Sequence, residues 1–187
     1  MLKQLRGIVF DLDGTLVDSA LDFPAMRREI GCPEGTGLLE FVDTLECAEA
    51  RATAEAVIHR HEMAGAAQAT WMPGASRLLQ GITQAGLPTG IVTRNSREAA
   101  GMTLSSLGAP QLALVAREDA RPKPDPDGLL QLAERWQLAP DALAYVGDFR
   151  FDIEAAKRAG MTAVLYLQDK NRDYADEADL VFSHFDE

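Results

Sequence analysis

The sequence predicts an α/β fold: a doubly wound parallel sheet sandwiched by helices, with a small all-helical segment inserted after the first strand. Three observations predict it. Short apolar runs rich in β-branched residues recur along the chain, helix-like segments alternate with them, and about fifty residues after the first run break that rhythm. The first run, Gly7–Phe10, reads as a strand buried on both faces. The stretch that follows is rich in Ala, Glu and Arg and predicts helices over Phe23–Ile30, Leu38–Leu45 and Ala48–Gln68, separated at Gly31-Cys32-Pro33 and near Cys47. In the third helix Ala48, Ala52, Ala56 and His59 share a face of mainly small side chains, which predicts close helix packing there. After the Pro73-Gly74 turn the alternation resumes. A helix over Ala75–Ala85 leads to a strand at Thr89–Thr93, then a helix at Ser96–Leu107 ended by Gly108 and a strand at Leu112–Ala116. A helix at Pro126–Gln137, a strand at Leu143–Val146 and a helix at Phe151–Ala159 ended by Gly160 come next, before strands at Thr162–Leu167 and, more weakly, Leu180–Phe182. Residues 1–19 and 73–187 therefore form the expected core and 20–72 the helical insert. Alternation of this kind implies right-handed crossovers and a ligand site at the carboxyl ends of the strands.

Composition narrows the class. The 187 residues suffice for one buried core without a covalent staple. Cys32 and Cys47 stand far apart and form no CxxC, so a disulfide framework is not expected and a reducing cytoplasm is the simplest compartment. The apolar run near the start is too short for a signal-peptide core and no stretch reaches ~18 apolar residues, so neither export nor membrane insertion is expected. A formal charge of −11 argues against a non-specific grip on nucleic acid or on an anionic membrane. Much of that acidity reads as solvated surface, and an anionic substrate would need local compensation.

Four motifs fall at predicted strand ends. The first strand runs into Asp11-Leu12-Asp13-Gly14-Thr15, followed by Asp18-Ser19. Acids at i and i+2 of a strand point the same way and repel unless a cation lies between them or one keeps a proton. Either resolution is chemically useful: one acid can serve as a nucleophile beside a bound Mg²⁺ while the other moves a proton, and Gly14 lets backbone N–H groups approach a phosphate. The next strand closes on Thr93-Arg94-Asn95, a hydroxyl leading into a helix amino terminus that attracts anions. Lys123, between Pro122 and Pro124, is held in an extended loop. The fourth, Gly147-Asp148-Phe149-Arg150-Phe151-Asp152, offers two carboxylates of the type that holds Mg²⁺. Singly each could be a turn, a cap or a surface loop; their order supplies nucleophile, hydroxyl, cation and metal ligands at successive strand ends.

This ordered set resembles the haloacid dehalogenase-like hydrolase superfamily over nearly the whole chain, and most of all its phosphatase branch related to phosphoglycolate phosphatase and β-phosphoglucomutase. The resemblance implies a Rossmann-like core with a helical cap, here Ala20 to about Met72, and hydrolysis of a small phosphorylated metabolite. It makes Asp11 the nucleophile that forms an aspartyl-phosphate and Asp13 the acid that protonates the leaving alkoxide and then activates water. Gly14, Thr93 and Lys123 would hold the phosphoryl group. Asp11, the backbone carbonyl of Asp13 and Asp148 would ligate Mg²⁺, with Asp152 orienting the site or reaching the metal through water. Arg94 is expected at the mouth of the site, beside the phosphate-binding set, with its role open. The insert is shorter than the branch's usual cap. Arg27 and Arg28 could reach an anionic leaving group from it or face solvent; His59 and His61 fall on different helix faces and make a poor metal pair. Trp71 and Met72 are expected to anchor the hinge. Halide displacement has no use for the acid at Asp13, whereas a phosphomutase, or a binding protein that has lost activity, remain the alternatives.

Overall fold

A computed structural model describes residues 5–186; residues 1–4, which open the expected core segment and part of the amino-terminal run, and Glu187 lie outside the described residues. In chain order the elements are β1 (Gly7–Phe10), β2 (Val17–Asp18), α1 (Phe23–Ile30), α2 (Leu38–Thr44), α3 (Ala48–Gln68), β3 (Thr70–Trp71), α4 (Ala75–Gln84), β4 (Thr89–Val92) and α5 (Arg97–Ser106). Then follow β5 (Ala113–Val115), α6 (Asp127–Trp136), β6 (Leu143–Gly147), α7 (Arg150–Ala159), β7 (Thr162–Tyr166) and β8 (Leu180–Phe182), with 3₁₀ turns at Pro140–Ala142 and Asp169–Glu177.

The main sheet is six-stranded and parallel, in the order β5-β4-β1-β6-β7-β8. From β1 the chain builds outward through β4 to β5, then crosses to β6 on the other side. The strand order therefore reverses at β1, and the crevice of a doubly wound sheet lies above its carboxyl end. Being central, β1 must be apolar on both faces. Val9 enters the core formed with α6 and α7, and Phe10 enters the opposite one formed with α4 and α5, as alternate residues of a strand do.

Helices α1–α3 lie between the two strands of a ribbon in which β2 and β3 pair antiparallel, Val17 with Trp71 and Asp18 with Thr70. Two residues per strand carry no periodicity, so the ribbon is invisible in the sequence. The insert has a small core of its own around Val42, Ala54 and Ile58. This corrects the expected packing face of α3. Its buried stripe is Ala54, Ile58, Glu62, Gly65 and Ala66, whereas Ala48, Ala52 and Ala56 are exposed, and Ala52, Ala56 and His59 look into a cleft of about 590 Å³ between the insert and the sheet's loops. Element ends shift by a residue where a side chain decides them. α5 starts after Ser96, whose Oγ accepts the Ala99 N–H, and α7 starts at Arg150, ahead of expectation, because the Asp152 carboxylate accepts the Phe149 N–H.

Candidate active site

The carboxyl ends of β1, β4 and β6, together with the loop after β5, bring a dense group of ionisable side chains into the crevice. Asp11 follows β1 directly; Lys123 comes from the loop between β5 and α6; Asp148 follows β6, and Asp152 sits in the first turn of α7. All four are buried. The Lys123 ammonium donates to Asp11 Oδ1 at 2.6 Å, to Asp152 Oδ1 at 2.7 Å and to the Tyr145 hydroxyl at 2.8 Å. All three ammonium protons are thus used and the side chain is fixed. Tyr145 also reaches the Val92 carbonyl at 3.0 Å and Asp152 Oδ1 at 3.1 Å, while Asp152 Oδ2 takes the Phe149 N–H at 2.9 Å. Asp152 is therefore a strut between Lys123, Tyr145 and the start of α7.

Two glycines in the motifs are needed for space. Gly14 has φ of +84°, and a Cβ there would meet an Asp148 carboxylate oxygen at 2.5 Å; a Cβ on Gly147 would meet Asp152 at 2.3 Å. The Gly14 N–H itself donates to the Val17 carbonyl at 2.8 Å, and its missing side chain lets Asp148 close on the β1 turn.

Carboxylate oxygens of Asp11, Asp148 and Asp152 lie within 4.8 Å of one another. Burial pushes the Asp11 carboxyl well above its usual range, with Asp152 and Asp148 adding to the rise and Lys123 opposing it. Asp148 is raised by burial and by Asp152, against the pull of Lys170, whose ammonium is 3.0 Å away. For Lys123, burial works to lower the ammonium and the two carboxylates outweigh it, so its value is raised. Three buried acids against these cations leave excess negative charge among hard oxygen donors. That is a donor set suited to a hard divalent ion such as Mg²⁺ or Ca²⁺.

Asp13 is held apart from this group. Its Oδ1 accepts from the Ser19 hydroxyl and its Oδ2 from Asn95 Nδ2 at 3.0 Å. Burial raises its carboxyl, Ser19 opposes, and the charge of Glu62 adds to the rise. Thr93 lies beside the same turn, since the β1–β4 register continues past Phe10 and Ile91; its Oγ1 accepts the Asn95 N–H at 3.0 Å, and among the described residues its own proton has no acceptor. The arrangement thus offers a carboxylate clamped by a lysine, a second carboxyl of raised proton affinity, and a free hydroxyl around one crevice.

Other candidates are placed elsewhere. The Arg94 guanidinium, expected beside a phosphate, lies over the Phe151 ring, donates to the Lys123 carbonyl at 2.8 Å and pairs with Glu40 of α2 at 2.6 Å. Arg27 turns into its own loop, donating to the carbonyls of Pro33 and Thr36, and Arg28 is exposed. His61 meets Glu29 and His59 meets Glu98, on separate faces as expected. Trp71 donates its indole N–H to the Leu107 carbonyl and Met72 its N–H to Leu16, tying β3 to the core. Sequence reasoning missed Tyr145, Asn95, Glu62, Arg117 and Asn171. Glu62, buried on α3, binds Arg117 through both oxygens at 2.5 and 3.1 Å and accepts the Ser96 N–H; Asn171 donates to the carbonyls of Asp148 and Tyr166. No sequence signal marked Glu62, because α3 has no distinct apolar side in its sequence.

Fold and site define an α/β protein with an acid-rich, lysine-clamped crevice and a helical insert that pairs with the core through Glu40–Arg94 and Glu62–Arg117. The family model for haloacid dehalogenase-like hydrolases matches residues 5–160. A phosphoglycolate phosphatase from Xanthomonas campestris is 36% identical over 183 residues, covering 87% of this chain and 83% of the relative. A validoxylamine A 7'-phosphate phosphatase from Streptomyces hygroscopicus is 31% identical over 199 residues, covering 96% and 93%. The crystal structure of a hydrolase from Pseudomonas syringae superposes with a TM-score of 0.78 at 24% identity, covering 96% of this chain and 94% of that one, a likeness of fold. The chain belongs to the haloacid dehalogenase-like hydrolases, on their phosphatase branch.

Proposed function

We propose that the protein is a Mg²⁺-dependent phosphatase that hydrolyses a small phosphate monoester through an aspartyl-phosphate on Asp11, in the cytoplasm, with residues 20–72 acting as a cap over the core formed by 1–19 and 73–187. The observation that carries this reading is the separation of the two acids. Asp11 is fixed by Lys123 beside Asp148, while Asp13 is held away by Ser19 and Asn95. Asp11 then faces phosphorus and Asp13 the leaving group. Asp11 attacks the phosphorus atom in line as the ester P–O bond breaks, and Asp13 gives its proton to the departing alkoxide. The deprotonated Asp13 next takes a proton from a water that attacks the aspartyl-phosphate, and Asp11 and inorganic phosphate are released. Thr93 donates its hydroxyl hydrogen to a phosphoryl oxygen and Lys123 balances phosphoryl charge. Asp11, Asp148 and the Asp13 carbonyl would hold Mg²⁺, with Asp152 kept at its edge by Lys123 and Tyr145. When bound, such an ion supplies Lewis-acid neutralisation of the transferring group. Burial and the charge of Glu62 raise the Asp13 carboxyl, the direction a proton donor needs, while its separation from Asp11 is what assigns it the leaving group.

The test is turnover of p-nitrophenyl phosphate with Mg²⁺. Asp11→Asn should abolish it. Asp13→Asn should lower kcat by about 10²-fold or more while Mg²⁺ affinity, measured by calorimetry, stays nearly unchanged, because that contact uses the backbone. A wild-type chain inert across a broad phosphate panel would overturn the proposal.

A further inference from the structure

We infer that the alcohol released at this site is neutral or cationic and carries hydrogen-bond donors, with no carboxylate close to the ester oxygen; this deepens the phosphatase reading above and rests on it. The donors beside Asp13, the Ser19 hydroxyl and Asn95 Nδ2, are spent on its carboxylate, and the insert adds the negative charge of Glu62. Asn95 spends its Nδ2 on Asp13, and the oxygen of that amide, Oδ1, is buried without a hydrogen-bond partner among the described residues. The amide orientation is set by Asp13, which takes the donor end. An acceptor left unpaired in a buried place is costly unless a bound molecule brings it a donor. A leaving-group hydroxyl or ammonium does so; a carboxylate cannot.

Charge points the same way. The insert contains four arginines and no lysine against nine acids. Arg27 is turned into its own loop, Arg51 donates to the Leu45 carbonyl, Arg60 pairs with Glu29, and Arg28 is exposed. Among the described residues none of the four ion-pairs or hydrogen-bonds with the core. The two core arginines that face the insert are already neutralised by it, Arg117 by the buried Glu62 and Arg94 by Glu40. In the cleft between insert and core, Asp43, Glu55, Glu98 and Glu118 stand against Arg117 and a His59 that Glu98 already meets at 3.4 Å. This cleft adjoins the crevice only through Ser96 and Pro122, the chain neighbours of Asn95 and Lys123. A carboxylate on a leaving group that extended toward it would meet acids and no free counter-charge, and like charges juxtaposed without one lose affinity. Lys123 and the proposed cation answer the phosphate itself, and the exposed Lys170 ammonium at the crevice is paired with Asp148 at 3.0 Å.

The experiment compares kcat/KM, with Mg²⁺ present, for three small esters: glycerol 1-phosphate, whose alcohol is neutral, O-phosphoethanolamine, whose alcohol is cationic, and 2-phosphoglycolate, whose alcohol carries a carboxylate. p-Nitrophenyl phosphate, which brings no donor, reports on the chemistry alone. The first two should exceed 2-phosphoglycolate by about tenfold or more. Glu40→Gln, on the more exposed pair, and Glu62→Gln should each narrow that ratio by about threefold or more by freeing an arginine. Asn95→Ala should lower kcat/KM for glycerol 1-phosphate by more than for p-nitrophenyl phosphate. Because each ratio is taken within one preparation, a loss of folded protein cancels. A wild-type chain that prefers 2-phosphoglycolate, or ratios unmoved in both glutamine variants, would overturn the inference. Absence of turnover on every ester, p-nitrophenyl phosphate included, would instead overturn the phosphatase reading beneath it.

Discussion

Tyr145 carries more of the site than its place inside a strand suggests. Its hydroxyl accepts from Lys123 and is shared with the Val92 carbonyl and Asp152, so one phenol fixes both the lysine and the acid that faces it. Burial, then the charges of Asp152 and Asp11, push it well above its ordinary value, so it remains a neutral donor throughout the working pH range. Tyr145→Phe keeps the ring and removes only the hydroxyl. Lys123 loses one of three acceptors in a dry place, at a cost of about 1–2 kcal/mol. The expected result is a Tm lowered in thermal unfolding and kcat reduced about tenfold with KM little changed; unaltered kcat would show that Lys123 needs no such support. At this scale Asp11, Asp13, Thr93, Lys123, Asp148 and Asp152 were legible because acids, hydroxyls and lysines at strand ends are conspicuous. Tyr145 and Asn95 were not, because a tyrosine in a strand and an asparagine at a turn both have ordinary structural uses.

Helix α3 is the element on which insert and core meet. Gly65 shows how tightly: a Cβ there would lie 2.8 Å from the Ser19 carbonyl oxygen and 3.0 Å from the Leu21 side chain, and Ser19 is the residue that holds Asp13. By helix propensity alone, Gly65→Ala stabilises by about 1 kcal/mol. The clash with a backbone oxygen decides otherwise, because backbone cannot rotate away as a side chain can. We expect Gly65→Ala to lower Tm and to reduce kcat through a displaced Ser19, whereas Gly81→Ala, in α4 with no atom near its would-be Cβ, should raise Tm slightly. Parallel thermal melts and kcat measurements on the pair check this; a stabilised and fully active Gly65→Ala chain would refute the close approach. The extent of α3 was readable from its composition, but its inward face was not. Small residues pack readily, yet Ala52 and Ala56 face the cleft, since the insert is too small to bury every apolar face.

The whole molecule concentrates part of its negative charge where solvent cannot screen it. Asp11, Asp13 and Asp148 all have raised carboxyls against an ordinary value of 3.8, so the folded chain holds protons that the unfolded chain releases. The stability these groups give is present below about pH 3.8 and is lost as pH rises through the raised values. In metal-free protein at neutral pH, Asp148→Asn should therefore raise Tm, because the amide imitates the protonated acid. Mg²⁺ should raise the wild-type Tm at pH 7 and have much less effect on Asp148→Asn. Calorimetric scans with and without a chelator test both, and an Mg²⁺ increment that survives the substitution would remove Asp148 from the metal site.

The sequence by itself determined the parallel α/β architecture, the helical insert and the strand-end motifs, because strand and helix periods and chemically conspicuous residues are local facts. It also determined that Asp11, Thr93 and Asp148 would stand at strand tips, with Asp13, Lys123 and Asp152 in the turns and loops just beyond them. Only the tertiary structure decided their partners: that Lys123 binds Asp11 and Asp152 together, that Arg94 turns to Glu40 rather than to the crevice, and that Glu62 of the insert neutralises Arg117 of the core. Such pairings join residues tens of positions apart, and their geometry is set by sheet order and by the tilt of the insert. No local period encodes either. The phosphate-facing chemistry was thus written in the motifs, while the environment of the leaving group came into being only when the chain folded.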